Sequence, residues 1–210
     1  MTMVLYGRPM AGSLAVEFML AELNLPHRRV LVTGYGDGVQ PASFAGVNPL
    51  RQVPALTMED GTLLTESGAI VVYLAEGRED WSPAPGTPAR VPYLRWIFYL
   101  AATIYPTAMQ IIHPENYIDE KEQHRAIATR ARGVLARQWA VVDGVLAGQG
   151  YLAGDAPSAA DLYALMFALW FPDMEEVAGR QATARLVAEL TARPAVADVL
   201  ARNRARENWA

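Results

Sequence analysis

The residues with the clearest chemical potential lie between positions 48 and 77, in NPLRQVPALTMEDGTLLTESGAIVVYLAEG. Val53-Pro54 stands just ahead of a short apolar run, Ala55-Leu56-Thr57-Met58. A proline at the head of a strand cannot donate to a ladder, and X-Pro is the bond at which a cis peptide is least costly. A cis proline here would turn the chain so that the Val53 N–H and C=O face outward, where an extended peptide can pair with them as an added strand. Further on, Glu66-Ser67 opens the apolar helical run Ile70-Val71-Val72-Tyr73-Leu74, after a hairpin turn at Asp60-Gly61. Ser67 is predicted as the N-cap, and the same helix start offers free N–H groups and the positive end of a dipole to a carboxylate. A strand-like edge beside an anion-binding helix start suits a small acidic peptide.

What the chain lacks narrows the chemistry. It has no cysteine, which excludes disulfides, thiolate–zinc sites and a protein thiol nucleophile. Its 3 histidines are too scattered to suggest a metal site, and none is expected. Lys and Arg number 18 against 22 Asp and Glu, a net charge of -4, with the arginines dispersed. A nucleic-acid surface would show a clustered basic face, so no nucleic-acid partner is expected. No apolar run approaches the roughly 18 residues of a membrane span, and no membrane partner is expected. The opening MTMVLYGRP passes into a strand pattern without a basic and apolar leader, which predicts a cytoplasmic protein.

The elements that must hold these residues follow from periodicity. Val4-Leu5-Tyr6 reads as a strand, and Leu14, Phe18, Ala21 and Leu25 recur at helical spacing until Asn24-Leu25-Pro26 ends the helix. Arg29 to Val32 reads as a second strand, and Gly34-Tyr35-Gly36-Asp37-Gly38 as a loop. Strands at 55–58 and 62–64 and a helix at 67–76 complete an α/β unit with a mixed four-stranded sheet and helices on both faces. Pro83, Pro85, Pro88 and Pro92 with Gly86 suggest a stiff, extended connector. Every strong periodic segment after it is helical, at about 89–112, 121–146, 158–171, 181–191 and 194–204. The predicted organisation is an N-terminal domain over 1–78, a linker over 79–90 and an all-helical domain over 91–210. With 210 residues and 52% hydrophobic content, the chain can fill two small cores. Ser158 and Asp161 are predicted to form a reciprocal capping box.

In this order and spacing the chain resembles the cytosolic glutathione S-transferase family. The resemblance is carried by Val53-Pro54, Glu66-Ser67, the Val4-Leu5-Tyr6 strand with its following loop and helix, and Gly154 to Asp161. It implies a thioredoxin-like N-terminal domain that binds glutathione and an all-helical C-terminal domain. By the same resemblance Ser67 and Glu66 would hold the γ-glutamyl end of glutathione, Gln52 would reach its glycine or cysteinyl backbone as an amide donor, and Val53-Pro54 would pair with the extended peptide. Glutathione would be the co-substrate, and its thiol the only one at hand. A free thiol of pKa about 8.5 is only about 3% ionised at neutral pH. A drop of about 2 units, worth about 2.7 kcal/mol, makes thiolate the major species.

Two hydroxyls are open to that task. Ser13, next to Gly12, aligns near the cysteine–serine pair of the bacterial cysteine branch, and Tyr6 aligns with the tyrosine other branches use. The implied reaction is attack of the thiolate on a soft, hydrophobic electrophile. A specialised lyase, isomerase or dehalogenase, or a non-catalytic module of the same fold, stands as the alternative. Met10, Tyr105, Met109 and His113 are expected to line the electrophile pocket between the domains, with Pro106 kinking the long helix that carries the last three. A symmetric homodimer is expected, with Met58 and the Ile70–Tyr73 helix face as exposed contacts.

Overall fold

The computed structural model of the protein describes residues 2–32 and 42–205, so the expected loop over 34–38 lies outside the described residues. The leading elements are β1 (Met3–Gly7), α1 (Leu14–Glu22), β2 (His27–Leu31), a short α2 (Ala42–Ala45), β3 (Ala55–Thr57), β4 (Leu63–Thr65) and α3 (Ser67–Ala75). They build a four-stranded sheet of order β2-β1-β3-β4. β1 and β2 run parallel, as a helical crossover between them allows, while β3 and β4 pair antiparallel. The mixed sheet is the one the sequence predicts.

Residues Leu14 to Leu20 of α1 are all buried, Glu17 included, so this helix has no solvent stripe and packs against α3 and a distant C-terminal helix. It ends where the sequence says it must. Asn24 takes a left-handed φ of 50°, its N–H meets the Ala21 carbonyl and the Leu25 N–H meets that of Leu20. These are the paired bonds of a Schellman stop.

The helical elements are α4 (Arg90–Tyr99), a π-helical turn (Leu100–Ile104), α5 (Tyr105–Ile112), a 3-10 turn (Pro114–Asn116), α6 (Lys121–Gln149), α7 (Ala159–Trp170), α8 (Gln181–Thr191) and α9 (Pro194–Ala205). α6 buries Ala131, Leu135, Trp139, Val142 and Leu146, one stripe at helical spacing. α7 is buried from Ala159 through Ala168 and forms the centre of its unit. Just before Pro106, where a kink is expected, the helix makes a π turn. The Tyr105 N–H reaches back to the Leu100 carbonyl, and the missing Pro106 donor falls where the helix has already widened.

The capping box forms as predicted. Asp161 accepts from the Ser158 N–H, the Ser158 hydroxyl and the Leu152 N–H, each at 2.8 Å. Burial nevertheless pushes its carboxyl up to about 6, outweighing these donors, which act to lower it.

Two expectations about organisation change. Residues 79–90 are not an extended connector. They fold through successive turns, with Trp81 and Ser82 buried and both N–H groups bonded to the Arg78 carbonyl at 2.8 Å. The Trp81 carbonyl accepts the Ala159 N–H at 2.9 Å, satisfying a donor in the first turn of α7. The chain also divides differently in space than in sequence. One unit holds residues up to Glu76 together with those from Leu190 onward, and the other spans Gly77–Glu189. The reason is α9, which buries Val196, Val199, Leu200 and Asn203 and packs on α1. Arg193 clamps Glu22 with bonds of 2.6 and 2.7 Å.

Candidate glutathione site

Register brings the predicted site segments to one end of the sheet. Tyr6 pairs with Val30 on one side and Ala55 on the other, and Ala55 pairs with Thr65. The loop after Tyr6, the Val53-Pro54 pair before Ala55 and the Glu66-Ser67 pair after Thr65 all leave this single row. Among the described residues four non-glycine positions have a left-handed φ, and three of them, Met10, Arg51 and Glu66, lie in these segments. Such backbone costs on the order of 1–2 kcal/mol for a side-chain-bearing residue, and it gathers where tertiary structure imposes it.

Ser13 is fully buried, and its hydroxyl makes no cap bond to α1. It clips the loop instead, donating to the Arg8 carbonyl at 3.0 Å and accepting the Arg8 N–H at 3.2 Å. A thiolate would have to replace the Arg8 carbonyl as its acceptor. Tyr6 is half-buried against Val32, Phe44, Val53 and Ala55, with its ring centroid 5.6 Å from that of Phe44.

The Val53–Pro54 peptide is cis. Val53 lies outside the β3 ladder, which starts at Ala55, and its side chain is buried. Gln52 and Arg51 are exposed. Sequence reasoning missed the residue that shapes this turn. Asn48 is buried, donates its amide to the Gln52 carbonyl at 2.8 Å and accepts the Leu50 N–H at 3.1 Å. The Asn48-Pro49 pair was the available signal, since Asn side chains bond their own turns.

At the third segment the cap moves by one residue. Glu66, not Ser67, occupies the N-cap position, at φ 65° and ψ 108°, without a side-chain cap bond. Ser67 is the first residue of α3 and is buried, while the Glu66 side chain is exposed. The Glu66 carbonyl accepts the Ile70 N–H at 2.9 Å, so α3 starts immediately after the turn and its first-turn N–H groups lie beside the row.

In the second unit Tyr105 is half-buried and edge-on to Phe167 and Trp170, with centroids 5.6 and 5.5 Å away. Met109 and His113 are half-buried, and His113 Nδ1 lies 3.0 Å from Glu115 Oε1. Met10 belongs to the first unit.

Comparison with known proteins decides the family. The glutathione S-transferase N-terminal domain matches residues 12–76, and the C-terminal domain matches residues 100–200. The glutathione S-transferase-like protein FUS3 of Gibberella moniliformis is 30% identical over 159 residues, covering 72% of this chain and 70% of its own. The chain belongs to the glutathione S-transferase family. Glutathione S-transferase GstA of Escherichia coli O157:H7 is 28% identical over 203 residues, 94% of this chain and 97% of that protein. Among solved structures, a glutathione transferase homologue from Sulfitobacter with bound glutathione superposes at a TM-score of 0.85. It is 25% identical and covers 96% of this chain and 98% of its own.

Membership makes the chain a transferase of the thioredoxin-like glutathione type. As a family member without cysteine, it has no thiol of its own for mixed-disulfide transfer. Among the described residues no group of three His, Cys, Asp or Glu side chains gathers, and no helix is long and apolar enough to cross a membrane.

Proposed function

We propose that the protein is a glutathione transferase that adds the glutathione thiolate to a soft, hydrophobic electrophile. The observation that supports it best is the row Tyr6–Ala55–Thr65, which sets a peptide-pairing turn, a helix start and a hydroxyl-bearing loop at one end of the sheet. The γ-glutamyl carboxylate is assigned to the α3 start and Ser67, with Glu66 beside the ammonium. The cysteinyl backbone is assigned to Val53 at the Pro54 turn, with Gln52 on the remaining amides. The bound glutathione of the Sulfitobacter homologue is consistent with this reading.

The thiol proton leaves to solvent, and a donor then stabilises the anion. Ser13 does so by exchanging its Arg8 acceptor for the sulfur, and Tyr6 by donating from its phenol. The thiolate attacks the electrophilic carbon and forms a C–S bond. Either a leaving group departs with the electron pair or the adduct takes up a proton, so the protein's work is proximity and a lowered thiol pKa. Met10, Tyr105, Met109 and His113 are the residues we propose for contact with the electrophile. A homodimeric, cytoplasmic enzyme of detoxification is the accompanying proposal.

The test is a calorimetric glutathione titration followed by mass-spectrometric search for thioethers with haloarenes, epoxides and unsaturated carbonyls. Conjugates formed faster than in buffer support the proposal. Saturable glutathione binding with no conjugate from any class would leave a non-catalytic glutathione-binding module.

A further inference from the structure

The loop over residues 8–13 is held from the far end of the chain. The Met10 N–H donates to Asn203 Oδ1 at 3.0 Å, across 193 positions of sequence. Met10 sits at φ 54°, a conformation its side chain disfavours, so a tertiary contact has to hold it. Asn203 is itself fixed. It is 1% exposed, and its Nδ2 donates to Glu17 Oε2 at 3.1 Å and to the Val199 carbonyl at 3.0 Å. With both amide hydrogens committed, only Oδ1 can face Met10, and a flipped amide would set N–H against N–H and oxygen against carboxylate. Glu17 Oε2 also accepts Arg29 Nη1 at 2.9 Å, and this buried pair holds the carboxylate in place. A chain of contacts therefore runs from β2 through α1 and α9 to the loop.

That loop carries Ser13 and the backbone N–H groups offered to the sulfur, while Tyr6, the other hydroxyl candidate, belongs to β1. The Ala11 N–H bonds the Arg8 carbonyl at 3.3 Å, Ser13 clips the same carbonyl, and the Ala11 carbonyl starts α1 by accepting the Leu14 N–H at 2.9 Å. We propose that Asn203 of α9 is a positioning residue for the thiol-facing loop, setting its donors through the Met10 N–H. The proposal rests on the reading that this loop stabilises the glutathione thiolate. Asn203 touches neither glutathione nor electrophile in this scheme, and Gln52, Val53, Glu66 and Ser67 bind the peptide from other segments.

The test uses the full chain loaded with glutathione, with thiolate absorbance followed against pH. Asn203→Ala should raise the bound thiol's midpoint by about one unit, a tenfold change in ionisation. Its affinity for S-methylglutathione, which has no thiol, should stay at the wild-type value. Asn203→Asp keeps the acceptor for Met10 but sets a carboxyl against Glu17, so the two must share a proton. The charges facing this pair are Arg29 from β2 and Arg202 from α9. Turnover of Asn203→Asp relative to wild type should climb as pH falls and the shared proton restores the amide's bonding pattern.

A wild-type midpoint below that of free glutathione that is unchanged in folded Asn203→Ala would overturn the positioning role alone. A wild-type midpoint equal to free glutathione would overturn the thiol-activation reading with it. If Asn203→Ala does not fold, the Asn203→Asp ratio decides, and a flat ratio across pH would refute the proposal.

Discussion

Asp161 offers a quantitative check because two opposing effects act on one buried carboxyl. Its three donors favour the anion, while burial disfavours it, and burial wins, pushing the carboxyl up to about 6 from an ordinary 3.8. The sign follows. Between these values the folded chain holds a proton that the unfolded chain has lost, so stability falls as pH rises. The contribution is fully present below about pH 3.8 and gone above about pH 6, a change of about 3 kcal/mol at about 1.4 kcal/mol per unit. Asp161→Asn removes the titration and leaves the rest of the chain's pH dependence in place. Denaturant unfolding of both proteins from pH 4.5 to 8, with stabilities subtracted, isolates it. Wild-type stability relative to Asp161→Asn should drop with rising pH and level off near 7. A difference that is constant, or that grows with pH, would show that the donors hold the carboxyl at or below its ordinary range.

The other predictions concern the ligand and assembly. Ser67→Ala should weaken glutathione binding by about 1.5–3 kcal/mol, the value of a hydrogen bond to a charged group, and unchanged calorimetric affinity would remove this residue from the site. If Ser13 donates to the sulfur, Ser13→Ala should cut turnover at pH 7 by about ten- to a hundredfold with binding retained, and Tyr6→Phe should not. The reverse pattern assigns the role to Tyr6, and two unaltered variants would leave it to backbone N–H groups of the loop. Light scattering at micromolar concentration should give twice the 23.0 kDa chain mass, and a monomer would defeat the dimer proposal.

How far the sequence carries depends on the range of the interaction. Strand and helix positions were legible because burial imposes period 2 or 3.6 locally, and α8 falls at Gln181–Thr191, the expected range. The π turn before Pro106 was not legible, since its apolar spacing does not differ from that of an α-helix. The cap at α3 was misplaced by one residue because serine is the better capping side chain, whereas a left-handed Glu66 sets the actual start. Ile70, expected on an exposed face, is fully buried, while Tyr73 on the same helix is 51% exposed. The turn-rich connector was masked by its prolines, which suit turns as well as extended chain. Asn203 and Glu17 left no local trace. A buried polar network spanning most of the chain has no sequence period, and an asparagine near a helix end reads as solvated.

The proposed function depends on glutathione being taken up and held as its thiolate. The direct measurement is ultraviolet thiolate absorbance of glutathione on the saturated wild-type protein as pH is raised, with S-methylglutathione as the blank. The midpoint should lie about 2 units below the roughly 8.5 of a free thiol, so that thiolate dominates at pH 7. A bound thiol that titrates like free glutathione would contradict it.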